Sequence, residues 1–184
     1  RMGSTGPGGL PYVVGAMLGS VGGFEVIPIP FDGDGPAISA LLGGHIDFLP
    51  SGYTATSEHI RSGRLRALAV VNDTEIDLLP GVPPITEDYP VFKKFLPWGP
   101  FYGVFVHKDS DEKVKTLLTQ AFRKGASKPE FKKFVEDFGA IPMNVSGNEA
   151  NRFLRKWQSV TTWLLHDAGA TKVSPATYDI PRPK

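Results

Sequence analysis

Through residues 1–71 the chain alternates short apolar runs with segments of helical periodicity, and glycine punctuates each change. Of 21 glycines, 13 fall in residues 1–52, a density that marks tight turns and places where the backbone approaches something closely. Residues 3–9 form a glycine loop, and residues 11–18 read as a helix with Pro11 suited to its first turn. Residues 24–30 read as a strand, 36–42 as a short helix ended by Gly43-Gly44, and 46–49 as a short strand. A helix over 54–61 precedes residues 65–71, almost wholly apolar and expected to be a buried strand. Strands feeding helices in this order specify an α/β domain with a largely parallel sheet and right-handed crossovers.

Six prolines between residues 80 and 100 then read as an extended connector, and a domain boundary is expected there. One further strand is expected over 101–106. After it the pattern becomes helical over 111–124, 129–138 and 147–167, the last opened by Ser146-Gly147-Asn148-Glu149, a Ser-x-x-Glu capping box. One strand cannot cover three amphipathic helices, so this layer is incomplete and something should cover it. The proline-rich tail after Thr171 is expected to be loosely ordered.

Composition narrows the function classes. Hydrophobic residues at 41% and charged residues at 21% place the chain among folding sequences, and a net charge of +1 offers no polybasic field for nucleic acid. No run reaches the roughly 20 apolar residues of a membrane helix, and the opening residues lack the regions of a secretion signal. Without cysteine there is no disulfide, thiolate zinc site or cysteine nucleophile, and His45, His59, His107 and His166 have no metal-ligand spacing. No metal and no cofactor are expected.

Gly3-Ser4-Thr5-Gly6-Pro7-Gly8-Gly9 before a helix offers backbone N–H groups, two hydroxyls and a helix N-terminus, a nest for a carboxylate or phosphate. It is neither a P-loop nor a dinucleotide fingerprint, and a plain turn with a Ser/Thr cap stands as the alternative. Phe31-Asp32-Gly33-Asp34-Gly35-Pro36 lies between a strand and a helix, where open α/β sheets bind ligands, but from these residues alone a tight turn with an Asp cap is the favoured account. Ser51-Gly52-Tyr53-Thr54 has the same placement, with Ser51 a hydrogen-bonding candidate. A hydrolase or transferase using Ser4 or Ser51 would need a nucleophile elbow and a paired histidine, and neither is legible here.

Several spaced segments together resemble the substrate-binding receptors of tripartite tricarboxylate transporters, the TctC or Bug family. They are Gly3-Ser4-Thr5-Gly6, Ile29-Pro30-Phe31-Asp32-Gly33, Ala40-Leu41-Leu42-Gly43-Gly44-His45-Ile46-Asp47, and Gly63-Arg64-Leu65-Arg66-Ala67-Leu68-Ala69-Val70 with Leu79-Pro80-Gly81-Val82-Pro83-Pro84. The resemblance runs to about Lys172. It implies a periplasmic α/β clamshell that captures a small carboxylate and passes it to membrane permease subunits, without catalysis or membrane insertion. It further implies that the segment matching the family's N-terminal half is not present, with residues 1–97 as lobe two, 98–172 completing lobe one, and 173–184 a tail.

Matched by position, the resemblance assigns ligand contacts to Ser4, Thr5, Gly6, Phe31, Gly33 and Ser51, and closure to hinges near residues 2–4 and 98–101. The usual Tyr-Lys-Gly is Phe31-Asp32-Gly33 here, which puts a ring and an anion where the family has a hydroxyl and a cation. A solute sensor serving a signalling system has the same sequence features.

Overall fold

A computed structural model describes residues 1–23 and 25–183. Its sheet is short and parallel. Strand β1 (Met2–Ser4) pairs with β2 (Pro28–Pro30) in the register Met2 to Pro28, Gly3 to Ile29 and Ser4 to Pro30. On the other side β1 meets Phe48 through a parallel bridge at Met2, with Gly3 N–H donating to the Phe48 carbonyl at 3.0 Å. All three residues of β1 are buried.

The expected strand over 24–30 is therefore reduced to its last three residues; Phe24 lies outside the described residues. Pro28 and Pro30 lack donors, which suits β2 to the sheet edge and stops the ladder there. The strand expected over 46–49 survives only as the Phe48 bridge. Residues 65–71 form no ladder: Val70 alone bridges, to Pro84, and Leu68 is 70% exposed. Residues 101–106 likewise form no strand, and Val104 and Phe105 are exposed. An apolar run becomes a strand only where partners satisfy its backbone along its length, and among the described residues the first run pairs only through the Val70 bridge and the second forms no bridge.

Helix boundaries follow the sequence more closely. α1 (Leu10–Gly22) carries Pro11 in its first turn and ends at Gly23 in the left-handed region. It passes through Gly15, where a Cβ would overlap the Met2 side chain, so glycine there lets α1 lie directly on β1. α2 (Asp34–Leu42) and α3 (Tyr53–Arg61) follow.

The proline-rich segment is not a bare connector. It holds a single turn, α4 (Ile85–Asp88), and a 3₁₀ turn over Pro90–Lys94 that delivers Phe92 and Phe95 to the core. There they meet Val13 and Met17 of α1 and Val160 and Leu164 of the last helix. Burying one such ring contributes about 2–3 kcal/mol, which explains why the prolines bend the chain inward.

The chain forms two compact units, Arg1–Gly99 with the residues from Lys156 onward, and Pro100–Arg155. The second unit contains α5 (Glu112–Ala126), N-capped by Asp111 through a 2.7 Å bond from Lys113 N–H, and α6 (Pro129–Asp137). Asn144 donates to Ser127 Oγ at 2.9 Å, and Arg123 Nε donates to Ser146 Oγ at 2.7 Å. α7 (Gly147–Asp167) begins in this unit and ends in the first. Leu117 on α5 and Phe134 on α6 remain exposed.

The tail is ordered, contrary to its proline content. After a 3₁₀ turn over Pro175–Tyr178, the Trp163 indole donates to the Ile180 carbonyl at 3.0 Å and Ser159 Oγ donates to the Pro181 carbonyl at 2.6 Å. Arg182 makes a two-bond pair with Asp167 and lies over the Trp163 ring. No helix among the described residues is long and apolar enough to cross a membrane.

Candidate functional site

Because β1, β2 and the Phe48 bridge are parallel, their carboxyl ends share one edge of the sheet. The connections leaving that edge are residues 5–9, 31–33 and 49–52, and each runs straight into a helix. The residues at the three helix starts are Gly9, Gly33 and Gly52, and among the described residues no side chain caps any of them. Each start therefore presents first-turn N–H groups and about half a positive charge to the same edge. Gly33, at φ 109°, takes a conformation that a side chain would strain.

Five of the six expected contact residues lie in these connections and the sixth, Ser4, ends β1 just before the first of them, but they are not equivalent. Ser4 is 1% exposed; its Oγ accepts from Gly6 N–H at 3.1 Å, and its carbonyl accepts from Phe31 N–H at 2.8 Å. It shapes the first loop and ties it to the second. Thr5 is exposed, and its hydroxyl lies against Gly9, where a Cβ would overlap it. Gly6, Phe31, Gly33 and Ser51 are half-buried. Ser51 Oγ donates to the Gly52 carbonyl at 3.5 Å, a long contact that leaves the hydroxyl available.

No Lys or Arg occurs between Met2 and Ile60, so the three connections carry no cationic side chain of their own. Asp32 and Asp34 are exposed at the start of α2, without an ion pair among the described residues. At the opposite ends of the strands, the Arg1 guanidinium bonds both Asp47 oxygens and holds that carboxyl well below the usual carboxylate range. Neither the Ser4 nor the Ser51 hydroxyl bonds a histidine, and no group of three acidic or histidine side chains among the described residues could hold a metal.

A cavity of about 590 Å³ opens elsewhere in the first unit, walled by Tyr12, Glu25, Lys94, Trp163, Asp167 and Arg182 among others. None of the six residues lines it. The loop edge is the better candidate, because a carboxylate held by converging backbone amides needs donors more than enclosure.

Sequence reasoning missed β1, which is only three residues long, and missed that glycine opens all three helices. A glycine directly before each helical period was the available signal. Seen as a whole, an α/β lobe with bare helix starts around the carboxyl edge of its strands is a solute-binding architecture.

Comparison with solved structures agrees. The fold matches a TctC solute-binding protein from Polaromonas, with a TM-score of 0.67 at 20% identity over 93% of this chain and 57% of that one. It also matches an R. palustris protein solved with adipate, with a TM-score of 0.65 at 18% identity over 91% of this chain and 55% of that one. The family model described as tripartite tricarboxylate transporter family receptor matches residues 1–167, and the chain belongs to that family.

Among relatives, the UPF0065 protein of the clcB–clcD intergenic region of Pseudomonas knackmussii is 31% identical over 131 residues, covering 70% of this chain and 75% of that protein. Protein BugT of Bordetella pertussis is 32% identical over 146 residues, covering 75% of this chain and 43% of BugT. The chain thus spans less than half of BugT and little more than half of the solved chains.

Proposed function

We propose that this chain is the ligand-holding part of a periplasmic receptor that captures a small carboxylate, a di- or tricarboxylate or related organic acid, and delivers it to a tripartite-type permease. The carrying observation is the convergence of three helix starts opened by glycine, bare of side-chain caps, at the carboxyl edge of parallel strands. Thr5, Gly6, Phe31, Gly33 and Ser51 would contact the acid, with Ser4 holding the first loop in shape. The adipate complex of the R. palustris relative supports a carboxylate ligand. In this reading residues 1–97 form one lobe and 98–172 contribute to the other. Ligand capture then shifts an equilibrium between open and closed forms that a permease can sense.

Catalysis by Ser4 or Ser51 has no support in the geometry, since one is buried in a loop-shaping bond and neither has a base. The test is a thermal-shift screen of dicarboxylates, tricarboxylates, aromatic acids and acidic amino acids on the receptor at its relatives' length. A binding acid should raise the melting temperature by mass action, stabilising by about 2.7 kcal/mol at a hundredfold excess over Kd, and the gain should shrink in Thr5→Ala. No response to any acid from a folded protein would overturn the reading. A sensor role differs in its partner, and capture of permease subunits against a sensor kinase by the liganded receptor separates the two.

A further inference from the structure

The tail residues Ile180-Pro181-Arg182-Pro183 are restricted before they touch anything. Each proline fixes its own φ, and each residue before a proline is pushed to extended backbone, so the sequence presets the open helix that proline-rich ligands adopt. Ser159, Trp163 and Asp167 of α7 meet this segment, and their spacing of four puts them on one face of the helix. We infer that this face is a docking groove for an extended segment with an arginine between two prolines, and that the chain's own tail is its resident ligand.

The contacts are those by which a bound peptide is recognised. Trp163 and Ser159 are buried and donate one bond each to the successive carbonyls of Ile180 and Pro181, at 3.0 and 2.6 Å. Asp167 accepts two bonds from the Arg182 guanidinium, at 2.8 and 3.0 Å, and the same guanidinium lies 3.9 Å from the centre of the Trp163 ring, which His166 meets edge-on at 5.8 Å. Main-chain carbonyls hold any extended chain, whereas the carboxylate and ring together select arginine over lysine, because only a planar guanidinium bonds two oxygens while stacking. The tail segment itself is not core: Pro181 and Arg182 are exposed, and Arg182 and Pro183 line the 590 Å³ cavity. Groove and tail lie within the first unit, far in kind from the glycine-led loops, so this inference stands or falls separately from the carboxylate reading.

A tail docked through its own tether faces the groove at an effective concentration on the order of millimolar, so the same segment supplied in trans should bind an emptied groove with a Kd below about 1 mM. The test is fluorescence anisotropy of a labelled peptide of residues 174–183 against the full chain carrying Arg182→Ala, whose own tail has lost its anchor. Saturable binding is expected there, at least about tenfold tighter than to the parent, where the tethered tail competes. Adding Trp163→Phe, which keeps a ring and deletes the indole donor, or Asp167→Asn should weaken it, and so should Arg182→Ala or paired Pro181→Gly and Pro183→Gly changes in the peptide. Absence of saturable binding to folded Arg182→Ala chain, equal binding to the parent, or equal binding by the Arg182→Ala peptide would overturn the inference.

Discussion

Ser4 and Thr5 are neighbours of similar chemistry with different work, and substitution separates them. Ser4→Ala removes the acceptor for Gly6 N–H at a buried position, so a loss of about 1–2 kcal/mol is expected in chemical denaturation. Thr5→Ala should leave the denaturation midpoint in place and weaken carboxylate binding in calorimetry. Gly9→Ala forces a Cβ into the Thr5 hydroxyl. It should destabilise alone and recover in the Thr5→Ala background, a non-additivity of the kind that residues in contact show.

Asp32 belongs to this scale as well. With no Lys or Arg from residue 2 to 60, Asp32→Lys is expected to tighten dicarboxylate binding in a salt-sensitive way, checked by titrations at two ionic strengths.

Among the elements, the tail makes the clearest prediction. The Arg182 guanidinium beside Asp167 holds its carboxyl below the usual aspartate range. A folded-state value below the unfolded one means that the pair's contribution is complete above the ordinary aspartate value of about 4 and is lost as pH falls through the lowered value. Both side chains are partly exposed, so the expected effect is local release of the tail rather than global unfolding. The Trp163 indole N–H resonance should shift with acidification, and Arg182→Ala should already show the released position at neutral pH.

The elements also show what local patterning can carry. The bounds of α7 and the ends of α2 and α3 were legible because helical periodicity and terminal glycines are properties of consecutive residues. The strands expected over 65–71 and 101–106 were not, because β structure is completed by a partner that periodicity does not name. Likewise the prolines before Gly99 implied an extended connector, yet burial of Phe92 and Phe95 brought that segment into the core.

At the scale of the molecule, the amphipathic helices of the second unit keep apolar residues in solvent, with Leu117 65% and Phe134 64% exposed. The chain should bind a hydrophobic dye such as anilinonaphthalene sulfonate while folded. Leu117→Lys with Phe134→Glu should reduce that fluorescence without lowering the melting temperature, because little apolar surface is buried at either position.

Sequence alone determined the α/β class, the glycine-led loops at the carboxyl edge and the family to which they belong, since each rests on composition and order along the chain. Tertiary structure alone decided that the Ser4 side chain is buried and accepts from Gly6 N–H, that the tail binds α7, and that the Trp157 indole donates to the Gly99 carbonyl. The reason is that burial and hydrogen-bond partners are set by residues far away in the sequence: Phe31 for Ser4, Arg182 for Asp167, and Trp157 for Gly99.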